Sequence, residues 1–260
     1  MPIQIETDAR CVVTALLDNP STRNALDDGM LLTLATLLEE LASGSRPARA
    51  LVIRGSEGCF CSGRDLGMLE TTDPSAPASR LEPINRLARG FRNCPIPIIA
   101  LVQGKAAGLG VSLVCWSDIA IATEDATFAI PEARAGIAPS VTAVSLIEVL
   151  GRRRALDLCL TGRAVNAVAA GAIGLVQHTV ATEEVVFALE SALDSLIRGA
   201  PGALRLTKEL AREAEGKAFE VSLAAANATA ERALAADEMI EGLKARREKR
   251  PPAWYRSAGA

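Results

Sequence analysis

The chain has 260 residues, 49% of them apolar, which is enough for one large domain, or a main domain with a small helical extension, and excludes a disordered chain. A formal net charge of -3 leaves no basic excess to neutralise a phosphodiester backbone, so nucleic acid is excluded as the main partner, whereas a small anion needs only a few placed cations and helix ends. The opening MPIQIETDAR lacks the n-region and h-region of a signal peptide and no apolar run reaches membrane-spanning length, so the expectation is a soluble, cytoplasmic protein.

In chain order, CVVTALLD predicts a first strand, and the turn NPSTRNALDD leads into a helix through LLTLATLLEEL with Asp27 and Asp28 in its first turn. ALVIRG is a short apolar run ended by glycine, the pattern of a strand buried on both faces. GCFCSGRDLG follows, then TTDPSAPAS, a polar, proline-rich loop. Next come a helix near LEPINRLARGF, a buried strand in PIPIIALVQG, a helix over VSLVCWSD, and strands in DIAIAT and TFAI. This alternation predicts α/β layering with right-handed crossovers. From about residue 182 the pattern turns alanine- and leucine-rich with helical spacing and no strand signal, which predicts a helical C-terminal module, either a self-contained cap or an oligomerisation module.

The six cysteines, at 11, 59, 61, 94, 115 and 159, have neither CxxC pairs nor zinc-site spacing and read as small buried hydrophobes, so no metal is expected. The single histidine, His178, sits in the apolar context GLVQHTV and reads as a structural strand residue, which removes triads and most transition-metal sites. Carboxylates and backbone amides are left as the chemistry.

In QGKAAGLGVSL, Gly108 and Gly110 form a GxG, but the third glycine of a dinucleotide fingerprint would fall on Leu113. A phosphate-binding P-loop fails because Gly104-Lys105 is followed by Ala106 and position 99 is Ile99, and a nucleophile elbow fails because Leu113 and Val114 follow Ser112. What survives is a glycine-rich turn after a buried strand, opening a helix whose first amides lack internal partners. In CSGRD, Gly63 allows the same kind of corner. Each corner alone is also readable as a tight turn; two that converge make an oxyanion hole. Glu132, in TFAIPEARAGIAP, follows Pro131 and is flanked by Ile130, Ala133 and Ala135, so it reads either as a partly desolvated base delivered to a site or as a carboxylate serving a helix start.

Several separated pieces together resemble the crotonase superfamily, the enoyl-CoA hydratases and isomerases: STRNALD, GCFCSGRDL, PIPIIALVQGKAAGLGVSL, SDIAIATEDATFAIPEARAGIAP, LTGRAVNAVAAGAIGLVQHTV and EGLKARREKRPPAW. The resemblance runs over almost the whole chain, in order. It implies an α/β fold, a spiral of ββα repeats over residues 1–195, followed by a helical trimerisation module over 196–260, with homotrimers or homohexamers as the assembly. It also implies an acyl-CoA substrate whose thioester oxygen is held by the backbone amides of Arg64 and Leu109. Arg23, Ala25, Cys61, Gly63, Asp65, Leu66 and Gly108 then line the coenzyme A site, an anion cradle of main chain to which the charge of Arg64 can add. No metal or redox cofactor is implied, since coenzyme A arrives with the substrate.

Hydratases of this family use two glutamates. Glu132 matches the second, whereas the first position is Ser112 here. Serine is too weak an acid or base to replace a carboxylate, although its hydroxyl can hold a water. One glutamate suffices to move a proton between the α and γ carbons of a 3-enoyl-CoA, so the resemblance favours isomerisation, with hydration through a different second group, or acyl-CoA binding without catalysis, as alternatives. A menaquinone-biosynthesis branch shares only the superficial likeness of CSGRDL to CSGGD, and the acidic balance argues against an RNA-binding branch. The acyl pocket is expected to depend on the loop between Glu70 and Arg80 and on the helix after Pro139, where Ala138, Pro139, Ser140 and Val141 replace a glycine-rich turn.

Overall fold

The computed structural model describes residues 2–65, 81–135, 137–214 and 237–256; the stretch TTDPSAPAS, Leu66 and the part of the expected C-terminal helices at 215–236 lie outside the described residues. Three times an apolar strand turns sharply into a three-residue strand: β3 (Ala50–Gly55) into β4 (Cys59–Cys61), β5 (Ile98–Val102) into β6 (Lys105–Ala107), and β7 (Ile119–Thr123) into β8 (Thr127–Ala129). The first strand of each pair joins a six-stranded sheet, in the order β1-β2-β3-β5-β7-β10, with β1 at Ile3–Thr7, β2 at Val12–Leu17 and β10 at His178–Val180. The second joins a four-stranded sheet, β4-β6-β8-β9, with β9 at Val165–Asn166. Repeating this ββα unit winds the chain into the expected spiral.

Side-chain alternation explains why the large sheet is covered on both faces. Leu51, Ile53, Ile98, Ala100 and Val102 point to one side, into the main core with the helices α1 (Asp28–Ser43), α2 (Glu82–Asn93) and α3 (Leu109–Trp116). Val52, Ile99, Leu101 and Ile121 point to the other, where Val185, Leu193 and Ile197 of a later helix cover them. In chain order, α4 (Ser140–Leu150), α5 (Arg152–Thr161) and α6 (Ala167–Ile173) come between β8 and that helix. The covering helix is α7 (Val185–Arg198), followed by α8 (Pro201–Ala214) and α9 (Asp237–Glu248). Arg49 ties this end to the core by donating to the carbonyls of Ile197, Gly199 and Trp254. Among the described residues no helix is long and apolar enough to cross a membrane.

Some local expectations are corrected. β1 was not foreseen, although IQIET alternates with period two, and it pairs antiparallel with β2 (Ile3 opposite Leu17, Thr7 opposite Val13). β4 and β6 are strands where only glycine corners were expected, because three residues are too few for a period to register. Asp27 is the N-cap of α1, accepting the Met30 N–H at 2.7 Å, and only Asp28 stands in the first turn. His178 is on a strand as expected, but exposed at the sheet edge. Cys61, Cys94 and Cys159 are buried, whereas Cys11, Cys59 and Cys115 are half-buried.

α1 and α2 cross where Leu38 meets Gly90, whose place a Cβ would occupy only 3.1 Å from the Leu38 Cβ and Cδ1. With the helices this close and Leu38 fully buried, neither can collapse into a vacated volume. Leu38→Ala is expected to cost about 3 kcal/mol in urea unfolding, within the range for a buried leucine truncated in a rigid site. A cost under about 1 kcal/mol would show that this crossing does not organise the core.

Candidate active site

β4, β6 and β8 are parallel neighbours in the small sheet, so their C-terminal ends lie side by side. Beyond them come Ser62-Gly63-Arg64, Gly108-Leu109 and Pro131-Glu132, the three stretches singled out in the sequence. Carboxyl ends of parallel strands are where α/β sheets place their ligands.

The first two corners touch. Gly63 has φ +106, and a Cβ there would lie 2.8 Å from the Ala107 carbonyl oxygen and 3.6 Å from the Leu109 nitrogen. Only glycine satisfies both the left-handed backbone and this approach. Gly110 is similarly pressed against the Cys61 carbonyl, at 2.5 Å from its missing Cβ. The structure therefore brings the backbones around Arg64 and Leu109 together.

Leu109 is the first residue of α3, and Gly108 before it has φ 51 and offers no side-chain cap. The Gly108 carbonyl takes the N–H of Val111 at 2.8 Å and of Ser112 at 3.3 Å, while the N–H groups of Leu109 and Gly110 precede the first intrahelical bond. Arg64 forms a bridge with Leu26 that uses the Gly63 carbonyl (from Leu26 N–H, 2.8 Å) and the Asp65 N–H (to the Leu26 carbonyl, 3.0 Å). The N–H of Arg64, between them, takes no part in that bridge.

Glu132 opens a 3-10 turn, Glu132–Ala135, and its carboxyl lies directly over Gly108: a Cβ there would sit 2.6 Å from Oε1 and 3.1 Å from the carboxyl carbon. Its Oε2 is buried with no hydrogen-bond partner among the described residues. Burial therefore pushes the Glu132 carboxyl above the usual carboxylate range, as the flanking residues predicted. Its charge adds to burial in pushing up the Cys159 thiol.

Other expectations change. The charge of Arg64 does not remain available to the cradle: the guanidinium donates to the Leu26 carbonyl at 3.0 Å and to Asp28 Oδ1 at 2.5 Å. Ser112 is fully buried and its hydroxyl donates to Thr142 Oγ1 at 3.1 Å, a bond that joins α3 to α4. Cys61 is buried and its thiol is pushed up to about 12 by desolvation, which leaves no thiolate for nucleophilic work. Arg23 is exposed with φ 55, and its carbonyl receives the Ser62 N–H at 3.1 Å; Ala25 is buried, its N–H held by Thr22.

Two residues were missed. Asn24 has φ 58 and no exposure, and its side chain takes the Asn19 N–H at 2.8 Å and donates to the carbonyls of Cys59 and Ser56 at 2.7 and 3.3 Å. These bonds hold two consecutive left-handed residues and with them the approach of Leu26 to Gly63. Its signal was the tolerance of asparagine for that conformation, inside STRNALD. Thr142, the partner of Ser112, carried no signal.

The family model described as Enoyl-CoA hydratase/isomerase matches residues 7–257. The chain is 30% identical over 243 residues to the 2,3-dehydroadipyl-CoA hydratase of Escherichia coli, covering 93% of this chain and 94% of that protein. It is 31% identical over 248 residues to the mitochondrial enoyl-CoA hydratase domain-containing protein 3 of Mus musculus, covering 92% and 80%. The crystal structure of an enoyl-CoA hydratase from Mycobacterium smegmatis superposes with a TM-score of 0.89 at 29% identity, covering 98% of this chain and 99% of that one.

The desolvation of Glu132 has a thermodynamic consequence. A carboxyl whose folded pKa is raised favours folding below its unfolded pKa, and that advantage is lost as pH rises through the folded value. Above it the buried carboxylate is a burden that glutamine lacks. Glu132→Gln is expected to raise the thermal midpoint at about pH 7 and to leave it nearly unchanged below about pH 4, where both side chains are neutral. A lower midpoint at neutral pH would contradict desolvation as the cause.

Proposed function

Because the chain belongs to the enoyl-CoA hydratase/isomerase family, we propose that it shifts the double bond of a 3-enoyl-CoA to the 2-position, with Glu132 as the single proton-transfer residue. The observation that carries this reading is the contrast between Glu132, whose buried Oε2 has no partner among the described residues, and Ser112, whose hydroxyl donates to Thr142.

The thioester oxygen is received by the N–H groups of Arg64 and Leu109. Preorganised amides in a site this buried stabilise developing negative charge without reorganising. The Glu132 carboxylate removes a proton from the α carbon, and the electron pair delocalises through the β,γ double bond onto the oxygen as a dienolate. The resulting carboxylic acid returns the proton to the γ carbon, and the double bond re-forms between α and β. No water is consumed and no second acid is needed. The raised pKa of Glu132 suits both halves, since it makes the carboxylate a better base and keeps the acid form accessible. Arg23, Ala25 and the chain around Cys61 to Leu66 receive the coenzyme A portion in this reading.

Hydration of a 2-enoyl-CoA is the second reading, favoured by the hydratase name of the Escherichia coli relative, and it requires a group other than Ser112 to hold the water. Assembly as a homotrimer or homohexamer belongs to the proposal as well. Val186 and Phe187 of α7 stand exposed, and burying them requires a partner surface.

Turnover of trans-3-hexenoyl-CoA and of crotonyl-CoA separates these readings. Glu132→Gln is expected to lower kcat for the 3-enoyl ester by about 10³-fold, and Ser112→Ala to change it by less than about threefold. Faster hydration of crotonyl-CoA than isomerisation of the 3-enoyl ester would favour the hydratase. Tight binding of both esters without Glu132-dependent turnover would leave an acyl-CoA binding protein.

A further inference from the structure

The side chain of Arg64 is committed in a way that the proposed chemistry does not use. Three successive residues at the end of β4 converge on one short segment. The Gly63 carbonyl receives the Leu26 N–H at 2.8 Å, and the Asp65 N–H reaches the Leu26 carbonyl at 3.0 Å. The Arg64 guanidinium reaches the same Leu26 carbonyl at 3.0 Å with one nitrogen and Asp28 Oδ1 at 2.5 Å with the other. Leu26 is fully buried, and Asp28 sits in the first turn of α1, which is itself fixed by the Asp27 cap. The Leu26–Arg64 pairing is an isolated bridge, not part of a longer ladder. The guanidinium adds two further ties to these two backbone bonds, and both start from the residue that carries the N–H in question.

We infer that Asp28 is a positioning residue: through the Arg64 guanidinium it braces the peptide whose N–H faces the thioester oxygen, fixing the direction of that donor. The inference rests on the proposed oxyanion role of the Arg64 amide. The guanidinium is attached to the same residue as that amide and anchored to a rigid helix start, so the side chain converts a two-point pairing into a four-point one. Geometry of this kind matters because donors to a developing oxyanion act only when aimed at it, and small misplacements cost large factors in rate. Asp28 is half-exposed at the helix start, so its replacement leaves the core intact.

A bracing role separates from a simple charge effect. If Arg64 acted only by its positive field, Arg64→Ala would slow the reaction, whereas Asp28→Asn, which removes a negative charge and keeps the arginine, would leave it unchanged or faster. A brace requires both variants to be slow, and Asp28→Glu to recover most of the loss. The experiment combines kcat and KM for trans-3-hexenoyl-CoA with isotope-edited infrared spectra of bound butanoyl-CoA carrying a ¹³C thioester carbonyl. In the wild type the carbonyl band is expected to move to lower frequency on binding. Asp28→Asn and Arg64→Ala are expected to lose about half of that displacement and about tenfold in kcat, with KM within about twofold. The band reports only bound ligand, so a partly unfolded sample does not imitate the loss. Full displacement and full kcat in Asp28→Asn would overturn the brace and leave the oxyanion reading standing. Absence of any displacement in the wild type would overturn the oxyanion reading, and the brace with it.

Discussion

The closeness of three parallel strand ends governs this molecule. Beyond β4 and β6 the backbones meet, the missing Cβ atoms of Gly63 and Gly110 lying 2.8 and 2.5 Å from the Ala107 and Cys61 carbonyls, and beyond β8 the Glu132 carboxyl comes within 2.6 Å of the missing Cβ of Gly108. At such separations no side chain fits on the glycines. The Glu132 side chain reaches over this meeting of backbones, and the proposed function draws its donors from the main chain and its acid from that carboxyl. The large sheet, buried on both faces, holds the strands that feed these ends, and Asn24 and Arg64 fasten the remaining approach of Leu26.

Around this meeting point, competing chemistry is suppressed by burial or by pairing. The Cys61 thiol is desolvated, the Ser112 hydroxyl is bonded to Thr142, and the Arg64 guanidinium is neutralised by Asp28. Glu132 is left with a buried oxygen lacking a partner among the described residues, a costly arrangement in a resting protein and a useful one where a proton must be exchanged. The same desolvation that makes the carboxylate unfavourable makes it basic, so stability and reactivity at this residue pull in opposite directions.

Much of this was legible in the sequence, for identifiable reasons. ALVIRG and PIPIIALV read as doubly buried strands because continuous apolar runs need cover on both faces, and they are covered. Gly63 and Gly108 read as corners because backbone restriction is written into residue type, whereas Glu132 reads equally as a desolvated carboxylate or as one at a helix start, and it opens a 3-10 turn with its carboxyl desolvated. The three-residue strands were hidden, since three residues carry no period, and the strand at Ile3–Thr7 was passed over although it alternates. The fate of side chains over long separations was not legible. Neither the pairing of Ser112 with Thr142, thirty positions on, nor that of Arg64 with Asp28, thirty-six positions back, follows from local pattern. Both depend on how the spiral closes.

The central claim is that the N–H groups of Arg64 and Leu109 share one thioester oxygen beneath Glu132. A crystal structure with an unreactive acyl-CoA bound tests it most directly. The account predicts the carbonyl oxygen about 2.7–3.1 Å from both nitrogens, with the α carbon within about 3.5 Å of a Glu132 carboxylate oxygen. An oxygen bound to only one of those amides, or an α carbon turned away from Glu132, would contradict it.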